Sequence, residues 1–229
     1  SNDEYEAYCT KLTRLFNGMN ENRLATYHYV FPIAGRNEGL ITRKSVNSVS
    51  KGHNLKKLGY EYSGSMAVLE TILDEYLFKE IRAKGGAYGV QAGISRDGKV
   101  IFGSSRDPHI KETLDTYNRI PSFLRSFKAN KREMANYIIG TIARMDEYES
   151  LNNVIQARYS QQLYLMGESQ EALQKERDEI LSTTDKDIRA LADVIDAVIK
   201  QNCFCAAGSE ADINSAKDLF HSIKRLTVI

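Results

Sequence analysis

The fold is decided by the segment MAVLETILDEYLFKEIRAKGGAYGVQAGISRDGKVIF, residues 66–102. Its first half places apolar side chains on one face of a helix, because they recur at intervals of three and four residues. These residues are Met66, Leu69, Ile72, Leu73, Tyr76, Leu77 and Ile81. Gly85 is the residue type that commonly follows a helix end. Residue alternation then replaces helical spacing, so the segment predicts a helix followed by a β-hairpin that turns at Asp97-Gly98.

Elements of both kinds flank this segment. In the hairpin's first strand, alternation predicts one face made of Tyr88, Val90, Ala92 and Ile94. Before the segment we predict a helix at 3–19, a connector at 20–35, a strand at 40–50 and a loop at 51–65. After it we predict nearly continuous helix from 107 to 199, a short strand at 203–209 and a closing helix at 210–226.

The helical run after the hairpin carries two capping signals. Asp107 is a favourable N-cap and Pro108 suits the first helical position. Thr184 and Asp187 have the spacing of a capping box. Helices that outnumber strands and follow a hairpin predict an α+β fold: a two-layer sandwich in which several helices pack on a small mixed or antiparallel sheet. We assign residues 1–35 to an N-terminal helix and connector, and 36–229 to the α+β domain.

Composition excludes several classes of function. The 229 residues have a formal net charge of +1, and no basic block with interleaved aromatics suggests nucleic-acid binding. No apolar stretch approaches the roughly 20 residues of a membrane span. The chain begins with Ser1 rather than Met, so Ser1 and Asn2 are either an added remnant or the start of a piece cut from a longer protein, and the sequence leaves the compartment open.

The sequence offers no complete catalytic constellation. Its four histidines form neither HExxH nor the inverted HxxEH, and Cys203 and Cys205 have no second cysteine pair to complete a zinc site. No GxSxG nucleophile motif is present. The glycines at 85 and 86 follow a helix and precede a strand, whereas phosphate loops run from strand to helix. By itself, the chain therefore predicts a domain without catalytic machinery of its own.

Arg82 and Tyr88 admit two interpretations. A cation in the last turn of a helix suits the helix dipole, and a tyrosine at a strand start is common in cores. Alternatively, Gly85 and Gly86 let the chain reverse tightly and bring both side chains to one point. There a guanidinium could hold a peptide carbonyl or carboxylate, and a phenol could donate to an oxyanion. Spacing alone leaves both interpretations open.

The segment YLFKEIRAKGGAYGV, residues 76–90, resembles the pitrilysin/insulinase zinc metallopeptidases, and is most similar to their presequence-protease branch. EGLITRKSVNSVSKGHNLKKLGYEYSGS, residues 38–65, resembles the strand and loop that precede this motif in the branch. GSSRDPHIKETLDTYNRIPSFLRSF, residues 103–127, resembles the "RDP" loop and helix that follow it. The resemblance is dense from about residue 36 to residue 128.

The resemblance implies a clamshell enzyme that degrades short or unfolded peptides in a closed chamber. The zinc would be bound by an HxxEH motif in an N-terminal half, outside this chain. Residues 36–229 would be the C-terminal domain, in which Arg82 and Tyr88 grip the substrate with the help of Gly85 and Gly86. Because this chain lacks HxxEH, we expect it to be inactive alone. The alternative is a non-catalytic scaffold or peptide-binding subunit of the same fold.

Overall fold

The structure is a computed structural model that describes residues 2–16, 36–43, 45–147 and 169–226. The chain divides into two compact units, residues 1–34 and 35–229. The first unit contains α1, Asn2–Phe16, which confirms the predicted N-terminal helix up to residue 16. The predicted connector at 20–35 lies outside the described residues.

The second unit is built on a six-stranded mixed sheet with the order β3-β4-β2-β5-β1-β6. Its strands are β1 Glu38–Ile41, β2 Asn47–Asn54, β3 Gly89–Ile94, β4 Lys99–Asp107, β5 Phe204–Gly208 and β6 Ser222–Arg225. The strands β3, β4, β2 and β5 pair antiparallel in succession. The short strand β1 pairs parallel with both β5 and β6. The mixed α+β architecture predicted from the sequence is confirmed.

The helices of this unit come from three stretches of the chain. They are α2 Gly64–Leu77, α3 Ile110–Arg125, α4 Lys131–Glu147, α5 Gln170–Ser182, α6 Asp185–Ala190, α7 Ala192–Lys200 and α8 Glu210–Ser215. Short 3₁₀ turns cover Lys56–Leu58 and Lys217–Leu219. A π-helical turn, Phe78–Ala83, continues α2. The part of the predicted helical run at 148–168 lies outside the described residues.

The helices pack on one face of the sheet. Alternate residues of paired strands, among them Val49, Ala92, Phe102 and Ala206, point to this face and are at most 7% exposed. They meet the apolar faces of α2 and α3, which are wholly buried at Leu69, Ile72, Leu73, Tyr117 and Ile120. The opposite sheet face carries mainly small and polar residues, as expected for a two-layer fold in which only one face is covered.

Several local predictions are confirmed. The helix of residues 66–81 is α2 with its π-helical extension, and the hairpin is β3–β4 with Gly98 at a positive φ of 87°. Thr184 and Asp187 form the predicted capping box at the start of α6. No helix in the described part of the chain is both long and apolar enough to cross a membrane.

Other local predictions are wrong. The single strand expected at 40–50 is two strands, and β2 extends to Asn54 into the segment expected to be a loop. The closing helix expected at 210–226 ends at Ser215, and residues 222–225 form β6 instead. Hydrogen bonds to the exposed edge of β1 stabilise β6, so a tertiary pairing overrides the helical spacing of this segment. Asp107 is the last residue of β4 rather than a helix N-cap, and α3 begins at Ile110.

We predict that the protein loses stability at alkaline pH because its buried tyrosines must stay neutral. Burial raises the pKa of Tyr117, which is fully buried and donates to the Val49 carbonyl over 3.3 Å. A raised folded-state pKa means that the stabilising contribution is complete below about pH 10, the unfolded value, and is lost as pH rises further. Urea unfolding between about pH 8 and pH 11 should show this decline.

Tyr117→Phe keeps the ring and removes the ionisation, so its stability should fall less steeply above about pH 10. The matched control is Tyr8→Phe, because Tyr8 is 62% exposed. An unchanged slope in the Tyr117 variant would contradict the prediction.

Candidate functional site

The turn between α2 and β3 holds the sequence-predicted site residues. The helix does not simply stop, because its hydrogen bonding shifts to the π pattern, with the Lys84 amide donating to the Lys79 carbonyl over 3.2 Å. Single π turns in α-helices occur frequently at functional sites. Ile81 and Ala87, 2% and 3% exposed, anchor the two ends of the turn in the core. The Ala87 amide donates to the Ile81 carbonyl over 3.2 Å, which closes the turn.

The two glycines serve different purposes. Gly86 has a φ of 82°, a left-handed conformation that costs other residues free energy. Gly85 is required for space, because a Cβ there would lie 2.6 Å from the Ile81 carbonyl oxygen. The tandem glycines therefore permit both a close approach and a reversal of direction within two residues.

Arg82 and Tyr88 lie on either side of this turn, and both are exposed to solvent. Tyr88 is 64% exposed although its backbone is held in place. Its amide donates to the carbonyls of Ser105 and Arg106 over 3.2 and 3.3 Å. Tyr88 precedes β3, and its exposure contrasts with the buried Ala92 and Ile94 that were predicted to share its face. The structure thus brings Arg82 and Tyr88 to one exposed turn.

Each of the two side chains is stacked with a neighbour. The Arg82 guanidinium carbon lies 4.9 Å from the centre of the Phe78 ring. The Arg106 guanidinium carbon lies 4.8 Å from the centre of the Tyr88 ring. Both distances are within the range of cation–π attraction. Within the described part of the chain, these stacks are the only side-chain interactions of Arg82 and Tyr88, so the guanidinium and phenol hydrogen-bonding groups face solvent.

Arg106 reaches Tyr88 because β4 contains a bulge. The register of β2 against β4 shifts from Asn47–Asp107 to Ser48–Ser105, which leaves Arg106 as the extra residue. Arg106 has a φ of 46°, an uncommon conformation for a bulky residue. Bulges often redirect a side chain next to an active site. Here the bulge accompanies the stacking of the Arg106 guanidinium on the Tyr88 ring.

The bulge is held by the buried carboxylate of Asp107, which is 1% exposed. One of its oxygens accepts from the His109 amide over 2.9 Å, and the other accepts from the Thr113 hydroxyl over 2.7 Å. The Asn47 side-chain amide donates to the Asp107 carbonyl over 3.0 Å. These bonds join β2, the end of β4 and the start of α3. Arg106 therefore lies directly before a residue that is held by several hydrogen bonds.

The arrangement can bind a peptide backbone, but it is no complete catalytic centre. An exposed guanidinium offers a planar set of donors to carbonyl or carboxylate oxygens, and a phenol offers one further donor. The described residues contain no group of three or more histidine, cysteine or acidic side chains able to hold a metal ion.

Sequence reasoning missed Phe78 and Arg106. Phe78 lies four residues before Arg82, a spacing that places two side chains on one helical face and could have indicated the stack. Arg106 stands in the "RDP" segment, yet neither its φ nor its contact with Tyr88 follows from local pattern. Only the bulge in the β2–β4 pairing shows where its side chain goes.

We predict that Gly86→Ala destabilises the protein by about 1–2 kcal/mol, because alanine must adopt the left-handed conformation. Steric overlap is not the cause, since the nearest atom to a Cβ there is Cγ of Pro108 at 3.7 Å. Gly86→Asn is the matched control and should cost less, since asparagine tolerates this conformation better. The free energy of unfolding in urea measures both, and equal costs would contradict the conformational explanation.

We predict that Arg106→Gly changes the free energy of unfolding by less than about 1 kcal/mol, because relief of the left-handed conformation offsets the lost stack. The variant should nevertheless increase the motion of the Tyr88 ring, measured by NMR relaxation of a ¹³C-labelled tyrosine. Arg106→Lys keeps the charge but loses the planar group, and should give an intermediate result. Unchanged ring motion in both variants would show that the stack does not restrain Tyr88.

Comparison with known proteins finds a family and several relatives for this chain. The family model described as the PreP C-terminal domain matches residues 37–207. Protein HypA of Clostridium perfringens is 41% identical over 223 residues, which are 97% of this chain and 23% of that protein. Presequence protease 1 of Arabidopsis thaliana, chloroplastic/mitochondrial, is 35% identical over 186 residues, which are 80% of this chain and 17% of that protein. The chain thus spans less than a quarter of the length of these two relatives.

Solved structures share the fold at low sequence identity. An M16 peptidase inactive domain from Pseudomonas fluorescens superposes with a TM-score of 0.57 at 15% identity, over 91% of this chain and 51% of that one. The periplasmic protease PqqL of Escherichia coli gives a TM-score of 0.58 at 14% identity, over 86% of this chain and 24% of that one.

The family-model match over residues 37–207 and the identity to presequence protease 1 show that the chain belongs to the family of presequence-protease C-terminal domains, within the pitrilysin-family proteases.

Proposed function

We propose that residues 36–229 are the substrate-gripping C-terminal domain of a zinc metalloendopeptidase that degrades short or unfolded peptides in a closed chamber. The observation that carries the proposal is the exposed turn at Gly85-Gly86, which presents Arg82 and Tyr88 with free donors in a chain of this family.

Tyr88 is assigned the role of oxyanion donor. Its main chain is fixed by two carbonyls of β4 and its ring is stacked by Arg106, so the phenol is oriented before a substrate arrives. A donor held in place stabilises negative charge developing on a carbonyl oxygen without reorganisation during the reaction. Peptide-bond hydrolysis develops charge of this kind in its tetrahedral intermediate.

Arg82 is assigned the role of substrate anchor. Its guanidinium, stacked on Phe78, keeps its planar set of donors directed to solvent. Such a group matches the carbonyl oxygens of an extended backbone or a terminal carboxylate. Because these acceptors exist in every peptide, the grip selects unfolded chains rather than one sequence, which agrees with a general peptide-degrading role.

The reacting metal would lie outside this chain. A zinc ion held by the N-terminal half of the same enzyme would polarise the scissile carbonyl and activate water. The described residues contain no metal-binding cluster, and the chain covers 17% to 23% of its relatives named above, so most of such an enzyme is elsewhere. The N-terminal half is therefore the proposed partner, and the 229-residue chain alone should cleave no peptide.

The test is Tyr88→Phe in the full-length protein, with turnover of an unstructured fluorogenic peptide as the measurement. Loss of an oxyanion donor typically lowers kcat by about 10²–10³. Tyr8→Phe is the matched control because the two tyrosines are similarly exposed, at 62% and 64%. Arg82→Lys should instead raise KM, since lysine keeps the charge but cannot donate as a planar fork.

The results of this experiment distinguish a peptidase domain from a non-catalytic subunit. Normal kcat for Tyr88→Phe in an active enzyme would remove Tyr88 from the mechanism. A full-length protein that binds unfolded peptides without cleaving them, even with zinc added, would identify a non-catalytic scaffold or peptide-binding subunit of the same fold.

A further inference from the structure

A cleft of about 580 Å³ opens on the helix-covered side of the sheet and shares no residue with the Arg82–Tyr88 turn. Its floor combines Asn37, Lys51, Leu114, Phe204, Leu219 and Phe220, which are buried or half-buried. Exposed polar residues surround the floor, namely Lys111, Asp115, Asn118, Asn202, Asp218 and His221. Its volume is within the range of small-molecule sites.

Lys51 is the unusual residue of this cleft because it is a buried cation without an anion. It is 4% exposed, and its ammonium donates to the side-chain oxygens of Asn118 and Asn202 over 2.7 and 3.3 Å. Both acceptors are neutral, and no carboxylate in the described part of the chain pairs with Lys51. Burial lowers the pKa of the Lys51 ammonium. A buried charge of this kind is normally paired, so an anion entering the cleft would complete the site.

Asn37 adds a second group to this cleft that a ligand could hydrogen-bond. It is 6% exposed, and its side-chain oxygen has no hydrogen-bond partner in the described part of the chain. Its position is set by a φ of 59° and by its carbonyl, which accepts from the His221 amide over 2.8 Å. A buried acceptor without a partner is unfavourable, so a ligand should bring an N–H or O–H donor as well as a negative charge.

The other residues that line the cleft restrict the charge and polarity of the ligand further. Leu114, Phe204 and Leu219 offer apolar surface beside the two polar groups. Asp115 and Asp218 lie at the rim and repel polyanions, whereas a single negative charge is balanced by Lys51 and Lys111. The combination favours a monoanion over a phosphate ester or nucleotide.

We propose that this cleft binds the carboxylate of an amino-acid derivative or a peptide C-terminus with an apolar side chain. In this arrangement the carboxylate accepts from the Lys51 ammonium, an amide N–H of the ligand donates to the Asn37 oxygen, and the apolar side chain contacts Leu114 and Phe204. The proposal is independent of the role of Arg82 and Tyr88, since it uses different residues.

The test is calorimetric titration of the full-length protein with N-acetyl-leucine and with N-acetyl-leucinamide, which differ in the negative charge. The acid should bind about tenfold or more tightly than the amide, because only the acid pairs with Lys51. Lys51→Met should remove that preference. Lys99→Met is the matched control, since the Lys99 side chain is 67% exposed and outside the cleft, and it should leave binding unchanged.

A second variant keeps the test decisive if Lys51→Met fails to fold. Asn37→Gly removes the side-chain oxygen, and glycine readily adopts the left-handed conformation of this position. The variant should therefore lower the affinity for N-acetyl-leucine and leave the affinity for acetate unchanged. Equal affinity for acid and amide, or no binding of N-acetyl-leucine, would overturn the proposal. Tighter binding of inorganic phosphate than of the acid would overturn the assigned ligand class.

A peptide that ends in leucine distinguishes the two sources of the carboxylate. Binding as tight as that of N-acetyl-leucine, lost when the peptide is amidated, would assign the cleft to peptide C-termini. Failure of the peptide to bind while N-acetyl-leucine binds would assign the cleft to free amino-acid derivatives.

Discussion

The geometry of the site depends on the hydrogen bonds that the buried carboxylate of Asp107 accepts. A carboxylate is costly to bury, and here the cost is offset by donors from the start of α3. The same residue ends β4 and, through its carbonyl, holds Asn47 at the start of β2. The end of β4, the start of α3 and the sequence-distant strand β2 are therefore held together at one point. The neighbouring Arg106 can remain in a left-handed conformation because three hydrogen bonds hold the residue after it.

The left-handed conformation of Arg106 and the tandem glycines both help to position the Tyr88 side chain. The glycines let the helix end approach the strand start, and the bulge of β4 places a guanidinium over the Tyr88 ring. The stack itself lies outside the core, since Tyr88 and Arg106 are both exposed. Strain stored at a surface position is typical of sites that must present a side chain in a fixed orientation.

How much could be predicted from the sequence depends on where each element is stabilised. The helix before Gly85 and the hairpin after it are set by local patterns, because their apolar residues repeat at the period of the structure they form. The capping box of Thr184 and Asp187 is equally local. The strand β6 is different: its residues have helical spacing, but the free edge of β1 supplies hydrogen bonds that a helix at that position could not match. Pairing partners of this kind are distant in sequence and leave no local signal.

The sequence by itself determined the α+β class and the helix–turn–hairpin order, whereas Arg82, Gly85, Gly86 and Tyr88 became the candidate site only through the resemblance to the presequence-protease branch. The class and the order could be predicted because apolar periodicity and the glycines that end the helix are local properties of the chain. Only the tertiary structure decided that Arg106 stacks on Tyr88 and that Lys51 and Asn37 share a cleft. These contacts depend on strand register, on a bulge and on the packing of α3 against the sheet, which arise when residues far apart in the chain meet.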